Sequence, residues 1–297
     1  MLSLAPIKYR HVFATEGGPI DRVEFASYDH WGKKVTEANA FLKNDVYPGF
    51  RQQYPDGAGT HTSPLIARFM AISEAIERWA LHAIVASDNA DKYGFDVDIT
   101  SNGMAAFPGL FDFQVRHQAF GEAIERHCLI SWWESLLPAR FLTLPYPQQQ
   151  GIEINNPFSS HSVVILWEYC EQKYYAFSFG SGKNLQNAIW RASIELTRTQ
   201  RYLQSYYQEN HHSSLDDIYG IEDIIEKRIV YFSTPQGYKQ FLQRLNSQQT
   251  KSEPPPLKFL FDGKIDGPWN NYAQVWRIVL NPTTMKHLEP TPDFFFW

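Results

Sequence analysis

The sequence predicts an α/β (α+β) protein in which polar-striped helices pack on mixed or antiparallel sheets. Three observations carry this. Long helical patterns begin near Ser63, Asp112 and Asn184, a two-stranded hairpin lies between Ser162 and Gly180, and a strand-like run, Gln274 to Leu280, stands near the end.

Taken in order, Ile20 to Tyr28 alternates well enough for a strand, whereas Trp31 to Gln53 is too mixed to assign. Gly57-Ala58-Gly59 reads as a flexible turn. Ser63 then offers an N-cap with Pro64 at the first helical position, and the helix should run to about Val85 and stop at Ser87-Asp88-Asn89. Asn102-Gly103 and Pro108-Gly109 mark turns, after which Asp112 caps a second helix reaching Trp133. SVVILWEY, a turn at Cys170-Glu171-Gln172-Lys173 and YYAFSFG form the hairpin. Gly180-Ser181-Gly182 turns into the third helix, Asn184 to Tyr207. Beyond it, Ile221 to Ile229 reads as helix, Ile229 to Phe232 as a short strand and Gly237 to Leu245 as helix. Ser247 to Pro256 is a proline-rich loop, and two strands follow, Lys258 to Phe261 and Gln274 to Leu280. The chain reads as one domain over 1–297, divisible into a motif-bearing core of about 1–215 and a C-terminal lobe of about 216–297.

The 297 residues are 43% hydrophobic and 20% charged, with 15% aromatic residues that suit either wide pockets or an aromatic core. A net charge of −5 argues against a general nucleic-acid binder. Two cysteines, Cys128 and Cys170, are too few for a disulfide framework or a zinc site. Met1 to Phe13 lacks the apolar run of a signal peptide, and runs such as Val163 to Trp167 are far short of the ~20 residues that span a bilayer. The expectation is a cytoplasmic, soluble protein.

The chemistry is concentrated in a near-duplication. SEAIERW (Ser73 to Trp79) and GEAIERH (Gly121 to His127) each place two carboxylates at i and i+3 and an arginine at i+4 on one helix face. These are Glu74, Glu77 and Arg78, then Glu122, Glu125 and Arg126. The first helix is apolar on nearly every side, where charges are costly without counter-charges, hydrogen bonds or metal ions. Gln114, Gln118, Glu122 and Glu125 stripe the second helix, and Asn187, Arg191, Glu195 and Arg198 the third. Three such stripes can converge on one interior site for ATP and Mg²⁺, carboxylates holding the cation and arginines facing phosphate. An ordinary solvated helix face laced by ion pairs is the alternative for either motif alone. Gly180-Ser181-Gly182-Lys183 lacks P-loop spacing, His211-His212 reads as a solvated loop, and Cys128 as a buried thiol.

In this combination the chain resembles the YcaO-like family. The resemblance rests on Gly57-Ala58-Gly59, the two ExxER motifs, Ser101-Asn102-Gly103-Met104-Ala105, Arg191-Ala192-Ser193-Ile194-Glu195, Trp132-Trp133 and the strand VWRIVLNP, in order from about Gly18 to Pro282. It implies a YcaO-like fold and an ATP-dependent enzyme that activates a peptide backbone amide, giving azoline (cyclodehydratase), thioamide or amidine products in the modification of a ribosomal peptide. It implies that Glu74, Glu77, Glu122 and Glu125 hold Mg²⁺ and phosphates, that Arg78, Arg126 and Arg191 face phosphate, that Asn102 touches the nucleotide, and that Glu195 completes the site. Met70, Ala58, Gln114 and Arg198 depart from the family pattern, which keeps open a diverged subunit that binds nucleotide, peptide or a partner without turnover. The resemblance further implies a peptide presented by a separate leader-binding partner, in a homo- or hetero-oligomer, with no nucleic acid or membrane involved. The tail, Phe294 to Trp297, should be buried, either near the site or at an interface.

Overall fold

The computed structural model describes residues 3–46, 55–100, 102–171, 173–210, 215–247 and 253–297. Ser101, Gln172, His211-His212 and most of the loop after Ser247 therefore lie outside the described residues, as does part of the stretch up to Gln53. In chain order the main elements are α1 (Ala5–Lys8), β1 (Ile20–His30), β2 (Lys33–Leu42), β3 (Gly57–His61), α2 (Pro64–Val85), β4 (Met104–Phe107) and α3 (Asp112–Trp133). Next come β5 (Ala139–Phe141), β6 (Gln149–Ile154), β7 (Ser162–Cys170), β8 (Tyr174–Gly182) and α4 (Leu185–Glu209). The last are α5 (Leu215–Tyr219), α6 (Ile224–Ser233), α7 (Pro235–Asn246), β9 (Phe259–Ile265) and β10 (Gln274–Leu280). The protein is α+β, with antiparallel pairing throughout the described sheets. Among the described residues no helix is long and apolar enough to cross a membrane.

The chain divides into two compact units, Met1–Ala123 with Phe259–Leu280, and Ile124–Lys258 with Asn281–Trp297. The first unit holds two three-stranded sheets, ordered β1-β2-β3 and β4-β10-β9. Helix α2 begins and ends where its punctuation places it, with Pro64 in its first turn, although the Ser63 side chain makes no capping bond. It buries Ala67, Ala71, Ala75 and Ile76 in a core shared with Ala38, Ala40, Met104 and Val275.

Gly57-Ala58-Gly59 corrects the turn reading, because it is part of β3, paired with Ala38 to Ala40 of β2. The glycines serve proximity. A Cβ on Gly59 would stand 2.6 Å from Met70 Cβ and 2.7 Å from Ala71 N, and one on Gly57 would stand 2.9 Å from the Glu74 carbonyl carbon. Alanines on the facing helix stripe complete the close approach.

The second unit repeats the device. Gly180 and Gly182 are strand residues of β8 and not a turn, and a Cβ on Gly180 would meet Ala188 O and Ala192 N of α4 at 2.6 Å. Here α4 starts with a true cap, Asn184 Oδ1 accepting from Asn187 N at 2.9 Å. The four-stranded sheet β5-β6-β7-β8 contains the expected hairpin, registered Val163 against Ser181 through Cys170 against Tyr174.

Ile229 to Phe232 is another correction, since it lies inside α6. Asp223 caps that helix through Glu226 N at 2.9 Å, and Val230, Tyr231 and Phe232 are all buried, so packing overrides the β-propensity of the run.

Phe294, Phe295 and Phe296 of the aromatic tail are buried within this unit, and Trp297 is half-buried. Phe295 is 0% exposed, with ring centroids 4.9 Å from Phe232, 5.0 Å from Phe241, 5.2 Å from Phe177 and 5.5 Å from Trp133. Arg228, also buried, donates to the carbonyls of His287, Glu289, Thr291 and Phe296 at 2.8, 2.8, 3.0 and 3.1 Å, holding the tail's backbone around one guanidinium. Much of the aromatic excess is thus a core.

Candidate functional site

In the first unit, α2 presents Glu74, Glu77 and Arg78, and the first half of α3 presents Glu122. The i, i+3, i+4 spacing puts the α2 charges on one face, which borders the alanine stripe that meets β3. Glu74 is tied to the strand beneath it, its Oε2 accepting from Ala58 N at 3.1 Å. The Ala58 backbone can approach that closely because a glycine stands on either side.

Glu77 is the electrostatic centre of this group. Desolvation of its carboxylate and then the negative charge of Glu122 push its pKa well above the usual carboxylate range, with Arg78 opposing, Glu74 adding to the rise and Arg277 opposing least. The first unit therefore brings Glu74, Glu77, Arg78 and Glu122 within electrostatic reach of one another.

Asn102 is set by a short loop with its own order. Asp98 Oδ1 accepts from Thr100 N at 2.9 Å and Thr100 Oγ1 at 2.6 Å, while Asp98 Oδ2 accepts from Asn102 Nδ2 at 2.9 Å. Gly103 follows with φ of +67°, a left-handed conformation that favours glycine, and its carbonyl accepts from Ile278 N at 2.8 Å.

Three residues of this region escape the sequence reading. Arg277 of β10 is fully buried and its guanidinium is held 3.6 Å from the Phe95 ring centroid. Burial lowers its pKa to about 10, opposed by Asp98, Glu122 and Glu77. Asp56, just before β3, is buried, with Oδ2 accepting from Leu42 N at 2.7 Å and Oδ1 without a hydrogen bond among the described residues. Desolvation raises its pKa, opposed by that backbone bond and by Arg78. Asp98 is the third. A usable signal existed for Arg277 alone, a charge inside the apolar strand Val-Trp-Arg-Ile-Val-Leu.

The second unit holds the other four expected residues. Glu125 and Arg126 are half-buried on the second half of α3. Arg126 donates to the Trp297 carbonyl and lies 5.4 Å from the Phe296 ring centroid. Arg191 and Glu195 are exposed on α4, where Glu195 pairs with Arg198 at 2.7 Å and Arg191 reaches the Ser181 carbonyl at 3.4 Å.

Gln114 is buried, and its side-chain oxygen accepts from the N–H groups of Leu110 and Phe111 at 3.0 and 3.2 Å, which secures the start of α3. Cys128 is buried and its thiol pKa is pushed up by desolvation, so it is no nucleophile at neutral pH.

Among the described residues, no group of three His, Cys, Asp or Glu side chains is disposed to hold a metal ion by itself. Comparison of the chain with family models, with curated proteins and with solved structures gives no match.

Proposed function

We propose that this protein is a YcaO-like, ATP-dependent enzyme that activates a peptide backbone amide, and that the first-unit cluster forms part of its Mg²⁺–ATP site. The observation that carries the proposal is the environment of Glu77. A half-buried carboxylate beside two others is costly, and a divalent cation neutralising Glu77 and Glu122 would relieve the repulsion. In this reading Glu74, Glu77 and Glu122 hold Mg²⁺ and the phosphates it carries, Arg78 balances phosphate charge, and Asn102 meets the nucleotide. ATP would supply the phosphoryl group that makes the amide oxygen a leaving group. The peptide, presented by a separate partner protein, would supply or receive the nucleophile.

A second reading, a YcaO-like subunit that binds nucleotide or a partner without turnover, is favoured by one observation. Gln114 stands where the family has a glutamate, and here its carboxamide caps α3. Calorimetric titration with Mg²⁺–ATP tests what both readings share. Binding to the wild type, weakened at least tenfold in E122Q, is expected, and no heat at millimolar nucleotide would overturn both. ADP release in the presence of a candidate peptide and its partner then separates the enzyme from the subunit.

A further inference from the structure

We infer that Arg277 is a positioning residue that fixes Asn102 relative to Glu77 and Glu122 by gripping the Asp98–Thr100 backbone. The functional consequence of this inference rests on the nucleotide reading above. The guanidinium donates to the Thr100 carbonyl at 2.7 Å through one terminal nitrogen and to the Asp98 carbonyl through the other. The same two residues form the turn whose Asp98 carboxylate holds the Asn102 amide. Immediately after Arg277, Ile278 N bonds the Gly103 carbonyl, so adjacent residues of β10 clamp the loop on both sides of Asn102.

Packing alone does not account for an arginine here. It is 0% exposed, its Nε has no hydrogen-bond partner among the described residues, and its companions include backbone carbonyls and an aromatic face. Even complete buried ion pairs are commonly replaceable by well-packed apolar side chains at no loss of stability. What an apolar side chain cannot reproduce is a rigid fork that bonds two carbonyls while keeping a positive charge near Glu77, Glu122 and Asp98, the acidic groups it senses. Lysine keeps the charge and loses the fork.

Two measurements on the full chain test this. In the ligand-free protein, R277K should lower hydrogen-exchange protection of the Thr100 and Asn102 amides at least tenfold, with α2 protection retained. For Mg²⁺–ATP, R277K should raise Kd at least tenfold in the wild-type background and less than threefold in N102A, because the arginine acts through Asn102. Unchanged loop protection overturns the inference, as do losses that add independently in the double variant. Should R277K fail to fold, D98N, which leaves Arg277 in place and releases the Asn102 amide, must show the same loss of affinity, and an unchanged Kd overturns the inference. If the wild type binds no Mg²⁺–ATP, the nucleotide reading falls, while the exchange experiment still decides whether Arg277 holds the loop.

Discussion

Gly59→Ala tests the link between the local fold and the first-unit cluster. Gly59 is not among the glycines with positive φ, so its backbone suits alanine and only space opposes the change. The added Cβ would stand 2.7 Å from Ala71 N and nearer still to the Ala67 carbonyl. Relief of the closest contact, 2.3 Å to the Ala67 carbonyl oxygen, to an ordinary ~3.5 Å separates β3 from α2 by about 1.2 Å. Because both neighbours are helix backbone, no rotamer change absorbs it. Overpacking of this kind costs roughly 1–3 kcal/mol, and rigid backbone on both sides places Gly59→Ala near ~3 kcal/mol. The same displacement would stretch the 3.1 Å bond from Ala58 N to Glu74 Oε2 beyond hydrogen-bonding distance. Urea unfolding followed by circular dichroism measures the cost, and Gly32→Ala provides the contrast. Gly32 has φ of +69° with nothing within 4 Å of an added Cβ, so its substitution should cost only the left-handed backbone penalty of ~1–2 kcal/mol. A Gly59→Ala protein within 0.5 kcal/mol of the wild type would refute the close-approach argument.

Phe295→Ala removes the centre of the aromatic cluster and should cost roughly 3–5 kcal/mol in the same unfolding assay, and a loss under about 1 kcal/mol would mean the tail does not contribute to the core. His127 is buried, its Nε2 has no hydrogen-bond partner among the described residues, and desolvation lowers its pKa to about 4 from 6.5. The unfolded chain therefore takes up this proton first. Stability from this group is flat above about pH 6.5, falls by about 3 kcal/mol as pH drops to about 4, and levels below. Comparison of wild type with H127Q across that window checks it, and parallel pH profiles would contradict it.

Legibility followed locality. Both ends of helix α2 were readable because Pro64 starts it and the polar run after Ala86 ends it, and the β7–β8 hairpin because its apolar runs flank a polar turn. Strand β2 was not, since Lys-Lys-Val-Thr-Glu-Ala-Asn-Ala-Phe-Leu is rich in residues without strand preference and becomes a strand through pairing with β1 and β3. β5 and β6 were hidden for a similar reason, being short or polar edge segments. The paired glycines misled because proximity and turn propensity draw on the same residue. In the cluster, the i, i+3, i+4 pattern exposed Glu74 and Glu77 on α2, and its repeat exposed Glu122 on α3. Asp56 acts through tertiary pairing that no local pattern encodes, Arg277 was marked only as a charge inside an apolar strand, and Asp98 acts locally on Thr100 and Asn102, in a turn whose polar residues carry no distinctive pattern.

An experimental structure with Mn²⁺ in place of Mg²⁺ and a nonhydrolysable ATP analogue tests the central claim most directly. The account predicts an anomalous metal peak bordered by Glu77 and Glu122, with the triphosphate beside Arg78 and Asn102. Nucleotide bound away from Glu74, Glu77 and Glu122, or no nucleotide at saturating concentration, would contradict it.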